Sequence, residues 1–177
     1  MIGGPTVRLR GLEERDLPHT LAWRNDDRSL RWFKNSTPLE FAPHCAWFHK
    51  YLADDGAGCM FFIEELDGSP VGQSSIYNLE GVRAEVGRFL SSPELRGRGL
   101  FREALVLTLW AAFELAKLDE VHLEVIANNE RAIRLYESVG FVSQGESDGL
   151  VRMSLGRTQF DELESEIKAV VTTTGLI

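Results

Sequence analysis

Cysteine is nearly absent from this chain. Among 177 residues only Cys45 and Cys59 occur, with no metal-type spacing around them. A disulfide framework or a zinc site is therefore not expected, and both thiols read as core residues. No stretch approaches the ~20 apolar residues that cross a bilayer. The opening Met1 to Pro5 also lacks the basic patch and apolar run of a secretory signal. The expectation is a soluble, cytoplasmic protein with no membrane partner and no metal. Basic residues are in deficit as well, 19 Lys and Arg against 27 Asp and Glu, for a formal net charge of −8. That balance disfavours a general nucleic-acid binder, because the phosphate backbone would be repelled. An anionic ligand must be met locally, and local basic clusters stand at Arg24, Arg28 and Arg31 and again at Arg96, Arg98 and Arg102.

What is present is enough apolar material, 44% of residues, for one ordinary domain. Val7 to Arg10 alternates as a half-buried strand does, and Asp16 and Pro18 open a helix over Leu17 to Asn25. Helical spacing continues over Arg28 to Lys34 and, after Pro43, over His44 to Ala53. Cys59 to Glu65, Val71 to Tyr77 and Arg83 to Leu90 read as hairpin-connected strands around Asp67-Gly68 and Glu80-Gly81. Leu100 to Ala116 is apolar on nearly every face and reads as a central buried helix. Val121 to Ile126 is a strand, Asn129 to Ser138 a helix, and Phe141 to Gly145 and Val151 to Leu155 are closing strands. The order predicts an α+β fold, a mixed and mostly antiparallel sheet with helices on its faces. Residues 1–156 form the predicted domain. Residues 157–177 form a C-terminal extension, with an acidic helix over Asp161 to Val171 and a mobile end, packed on the domain or on a second copy as a homodimer.

The turn Leu95-Arg96-Gly97-Arg98-Gly99-Leu100 joins a strand to the apolar helix, so its amides and the positive helix end converge on one spot. Glycines let the backbone approach a phosphate, and arginines add charge-assisted bonds to it. A P-loop would need Lys-Ser or Lys-Thr where Leu100-Phe101 stands, and a dinucleotide fingerprint would need a glycine in place of Arg102. Two readings remain, a phosphate-binding turn and a plain glycine-rich surface turn.

Downstream, Asn129 caps a helix on which Ala132 and Tyr136 lie one turn apart, and Gly140-Phe141 has the form of a left-handed stop with an apolar lock. Taken alone, Tyr136 reads equally as an amphipathic core residue. Together, Arg96-Gly97-Arg98-Gly99 and Asn129-x-x-Ala132-x-x-x-Tyr136-x-x-x-Gly140-Phe141 resemble the GNAT superfamily of N-acetyltransferases, over roughly Thr6 to Leu155. The chain departs from that pattern at Phe101, where the family usually carries Gly or Ala, so the Phe101 side chain has to point away from the cofactor.

The resemblance implies an enzyme that moves an acetyl group from acetyl-CoA to a primary amine of a small molecule. It places the pyrophosphate at Arg96, Gly97, Arg98, Gly99, Leu100 and Phe101, with Asn129 nearby. It also places the pantetheine arm between two splayed parallel strands, Glu85 to Leu90 and Val121 to Ile126, with an amide of Phe89 or Leu90 polarising the thioester carbonyl. Tyr136 is then the acid for the departing sulfur. Glu85, His122, Glu124 and His49 are the candidate bases, Glu85 first. The acceptor would meet Trp23, Arg24, Asn25 and His49, in a segment similar to GNAT enzymes that acetylate nucleotide-linked amino sugars. Helix packing by Trp23 and an ion pair for Arg24 are the competing reading. Aminoglycoside and ribosomal-protein N-terminal acetylation, and a silent acyl-CoA sensor, stay open beside it.

Overall fold

The computed structural model describes residues 1–33, 35–54, 56, 58–95, 97–167 and 172–173. Its elements are β1 (Ile2–Gly3), β2 (Val7–Gly11), α1 (Leu17–Asn25), α2 (Asp27–Leu30), α3 (Phe41–Leu52), β3 (Cys59–Glu65), β4 (Pro70–Glu80), β5 (Arg83–Ser91), α4 (Leu100–Trp110), β6 (Glu120–Ile126), α5 (Glu130–Glu137), β7 (Val142–Ser147), β8 (Leu150–Gly156), α6 (Arg157–Ile167) and β9 (Thr172–Thr173). Among the described residues the strands form one sheet in the order β7-β8-β6-β5-β4-β3-β2-β1-β9. Neighbours run antiparallel except β5 and β6, which pair parallel. The predicted mixed α+β sheet with a parallel pair is the observed one.

Alternation along β3 shows how the sheet is covered on both faces. Met60 and Phe62 point into a cluster with Leu17, Trp23 and Phe48 of α1 and α3. Ile63 and the half-buried Phe61 point into the larger core, with Leu105, Leu109 and Phe113 of the central helix. Period-two strands between apolar helix faces explain both layers. That central helix does not run evenly to Ala116, because Ala111–Leu115 widens into a π turn.

Several boundaries differ from the sequence expectation. The second helix stops at Leu30, capped by Asp26, whose carboxylate accepts from the Arg28 amide at 3.1 Å. The remainder of that predicted stretch is turn, and Lys34 lies outside the described residues. Helix α3 begins at Phe41 because Pro43 fits a first turn, where its missing N–H is no loss. The last helix begins at Arg157, four residues earlier than expected, because Phe160 is fully buried against Phe113, 4.4 Å between stacked ring centroids. Residues 168–171 and 174–177, and with them the rest of the predicted C-terminal helix and tail, lie outside the described residues. Among the described residues no helix is long and apolar enough to cross a membrane, and no group of His, Cys, Asp or Glu side chains is placed to hold a metal ion.

Candidate active site

Strands β5 and β6 pair only at Arg83↔Glu120, Ala84↔Val121 and Glu85↔His122. Beyond Glu85 no ladder joins them, and a cleft of about 820 Å³ opens, lined by Val86 to Ser92 on one side and Leu123 to Ile126 on the other. A bulge in β5 shapes its wall. Gln73 faces Leu90 and Ser75 faces Gly87, so the single Ser74 stands opposite both Arg88 and Phe89. Such an extra residue leaves the ladder locally unpaired and re-aims its neighbours. Arg88 takes φ 51° there, a left-handed conformation that is uncommon for a side chain other than glycine.

Following β5 out of the cleft leads to the glycine turn. Gly97 and Gly99 adopt φ 89° and 78°, and a Cβ on either would meet nothing within 4 Å, so the turn is an open backbone concavity at the start of α4. Helix geometry leaves the amides of Leu100 and Phe101 without intrahelical partners and aimed outward, and the helix dipole favours an anion there. These features fit a phosphate. Arg96 lies outside the described residues. Arg98, expected at the phosphate, instead forks onto Glu65 with bonds of 2.7 and 3.1 Å and fastens the turn to the end of β3. The positive lining comes from Arg102, which donates to the Ser138 carbonyl at 3.1 Å, and from Arg131 of α5, while Arg134 also lines the cleft but pairs with Glu130 at 2.9 Å. Sequence reading missed the two arginines of α5, which line the cleft two and five residues after the Asn129 cap.

Asn129 caps α5 through its side chain, which accepts from the Ala132 amide at 3.3 Å. That fixes the helix so that Tyr136, on its second turn, lines the cleft at 8% exposure. The Tyr136 ring packs against Phe89 and Phe141, each 5.8 Å between centroids, and burial pushes its phenol above the ordinary range. Phe101 also lines the cleft, but its ring turns edge-on to Phe89 at 5.8 Å and toward Gly72, away from the glycine turn. The row Phe101, Phe89, Tyr136 makes an apolar wall.

At the vertex of the splay, Glu85 is held by two donors, the Tyr77 hydroxyl at 2.5 Å and the Asn78 amide at 2.9 Å. Burial first, and then the Glu85 bond, hold the Tyr77 phenol far above its usual pKa, so it stays a donor. Gly87 makes the contact possible, since a Cβ there would sit 2.8 Å from the Tyr77 hydroxyl. Glu124, Arg28, Trp32 and Phe33 also line the cleft.

The sequence matches the acetyltransferase (GNAT) domain family over residues 6–142. The chain is 32% identical over 145 residues to spermidine N(1)-acetyltransferase of Escherichia coli strain K12, covering 80% of this chain and 75% of the relative. The chain belongs to the GNAT acetyltransferase family. Among solved structures, the spermidine N-acetyltransferase of Vibrio cholerae in complex with CoA and spermine superposes with a TM-score of 0.78 at 23% identity, covering 87% of this chain and 97% of that one. A nucleotide-linked sugar GNAT in its apo form superposes with a TM-score of 0.82 at 20% identity, covering 94% and 96%. The enzyme is thus an N-acetyltransferase that uses acetyl-CoA.

Against the GNAT frame, the remaining expected acceptor residues do not reach the cleft. Trp23 is 6% exposed and stacks on Phe62 at 5.7 Å. Arg24 lies 3.9 Å above the Phe33 ring and donates to the Asn35 carbonyl, and burial lowers its pKa. Asn25 exchanges bonds of 2.8 and 2.9 Å with the Leu39 backbone. His49 faces Glu14 at 3.5 Å on the exposed side of α3. The packing reading describes Trp23, whereas Arg24 meets a ring and a backbone carbonyl in place of the acid that reading expected. Their neighbours Arg28, Trp32 and Phe33, one helix later, line the cleft in their place.

Proposed function

We propose that this GNAT enzyme acetylates the primary amine of a nucleotide-linked amino sugar, with Glu85 taking the amine proton and Tyr136 protonating the departing sulfur. The observation that carries the reading is a cleft lined at once by Arg28 and Arg88 and by Trp32 and Phe33. Guanidinium groups bind phosphates, and flat aromatic faces stack on bases, so this combination suits a nucleotide better than a bare amine. Chemically, the neutral amine attacks the thioester carbonyl, Glu85 receives the proton that the new amide nitrogen releases, and the Tyr136 hydroxyl supplies one to sulfur. The Tyr136 oxygen then recovers its proton from solvent. An amide of Phe89 or Leu90, at or beside the bulge, is the donor for the carbonyl oxygen, and the outward amides of Leu100 and Phe101 with Arg102 and Arg131 receive the pyrophosphate.

Polyamine acetylation is the second reading, and the 32% identity to the E. coli spermidine enzyme favours it. Release of free CoA thiol across nucleotide-linked amino sugars, polyamines, aminoglycosides and N-terminal peptides separates the two. The expected leader is the nucleotide-linked sugar. Spermidine turned over at the highest kcat/KM would move the assignment to polyamines.

A further inference from the structure

We propose that Arg88 selects acceptors that carry an anionic group, a carboxylate or a phosphate, on the same small molecule as the amine to be acetylated. The proposal rests on the reading of the cleft as an acceptor site, and it names the residue that sets acceptor charge there.

Arginines of this acidic chain are usually neutralised. Arg10 binds Asp16 and Glu64, Arg98 binds Glu65, Arg152 binds Glu124, and Arg157 binds Glu114. Arg88 is treated differently. Its guanidinium lies 4.2 Å over the Tyr77 ring and 5.9 Å from the Trp47 ring, and its hydrogen-bond partner among the described residues is the Met60 sulfur at 3.9 Å. Rings and a thioether hold the group in place but do not cancel its charge, and sulfur is a weak acceptor. A positive fork with five N–H donors, lining a cleft in a molecule of net charge −8, is a receptor for an oxyanion.

The backbone points the same way. Arg88 occupies a φ of 51° in the β5 bulge, a place glycine would take more readily. Strained non-glycine residues persist where the surrounding structure over-determines them, and they cluster at ligand sites. One ring also fixes both charges. The Tyr77 hydroxyl holds Glu85 at 2.5 Å while the Tyr77 face carries Arg88. Glu85 is thus presented to an ammonium and Arg88 to an anion, each held by the same side chain, which suits a zwitterion and disfavours a polycation such as spermidine.

The test compares the parent enzyme with Arg88→Met and Arg88→Lys, after circular dichroism has shown each to be folded. The acceptors are a nucleotide-linked amino sugar, an amino-sugar phosphate, 4-aminobutyrate, glucosamine and spermidine. Arg88→Met is expected to raise KM for the anionic acceptors roughly 10- to 100-fold, the cost of one charge-assisted bidentate contact. The kcat should move little, the KM for glucosamine should move far less, and Arg88→Lys should recover part of the loss. The larger effect between phosphate and carboxylate acceptors identifies which anion is read. An equal loss for neutral and anionic amines, or a parent enzyme that prefers spermidine to every anionic amine, overturns the proposal. A protein that binds acetyl-CoA but releases no thiol with any amine defeats the acetyltransferase reading instead. The Arg88 site is then judged by titrating inorganic phosphate and acetate with CoA already bound. Saturable binding of either anion that Arg88→Met abolishes sustains it, and identical or absent binding in parent and variant ends it.

Discussion

In the proposed mechanism Tyr136 protonates the departing sulfur, and its surroundings bear on how a phenol would serve a thiolate. Burial among Phe89 and Phe141 holds its pKa above the usual value of about 10, so the hydroxyl keeps its proton across the neutral range. An apolar site raises the proton affinity of a thiolate as well, so the two groups stay closely matched as the C–S bond breaks. Tyr136→Phe preserves the ring packing and should change stability by about 1 kcal/mol or less. Single-turnover rates should fall roughly 10²- to 10⁴-fold while acetyl-CoA affinity is kept. A variant as fast as the parent, with chemistry limiting, would mean that solvent protonates the sulfur. Glu103 teaches a different lesson at the same scale. It interrupts the apolar central helix in sequence, yet its carboxylate accepts from the amides of Thr6 at 2.8 Å and Val7 at 3.0 Å, so its work is to anchor β2 rather than to reach the cleft.

The elements were legible in the sequence where one period ran unbroken. Strands β2, β3 and β6, helix α1, the glycine turn and the Asn129 cap all stand within a residue of their expected places. What stayed hidden were single-residue irregularities. Gly81-Val82 is the hairpin turn, with Glu80 opposite Arg83, and an even register from there would set Asn78 against Glu85. The observed shift between Tyr77 and Glu80 sets Tyr77 against Glu85 instead, marked by φ 51° at Asn78, and it brings the hydroxyl to the carboxylate. No residue pattern announces such a bulge. Trp23 and Arg24 were misleading for another reason, since a tryptophan that packs and one that stacks on a ligand share the same spacing. The last helix shows the energetic side. Arg157 donates to the Phe113 and Leu118 carbonyls at 2.7 and 2.9 Å and to Glu114 at 2.6 Å, tying the π turn and its exit to α6, while Phe160 fills the space beneath. Phe160→Ala should therefore cost about 3–5 kcal/mol, the range for an emptied aromatic core site. Urea titration should show a lower midpoint at unchanged m-value. A loss below about 1 kcal/mol would show that α6 is only loosely docked.

For the whole molecule, the problem is how a protein of net charge −8 holds a phosphate-rich co-substrate. Its overall field opposes the approach, so the favourable term has to be local, and the proposed phosphate site offers it through outward amides at the head of α4 with Arg102 and Arg131 in the same cleft lining. Two consequences follow from mass action and screening. Acetyl-CoA at about 100 times its Kd should add about 2.7 kcal/mol, because it binds the folded state alone. For a chain of this length that is a rise of roughly 5–10 °C in Tm. Added salt acts on two opposed contributions, the long-range repulsion and the short-range attraction. The Debye length is about 10 Å at 0.1 M, so the distant acidic surface is screened before the contacts at the turn are. The shift should accordingly hold or grow from low to moderate salt and shrink only near 1 M. Arg131→Glu puts a carboxylate into the phosphate lining and should lower the shift at every salt concentration, most at low salt where the added repulsion is least screened. Thermal melts of parent and variant across such a salt series measure all of this. A parent shift that falls steeply from the lowest salt onward would show that the global charge does not oppose binding, and an Arg131→Glu protein stabilised as strongly as the parent would remove α5 from the phosphate site.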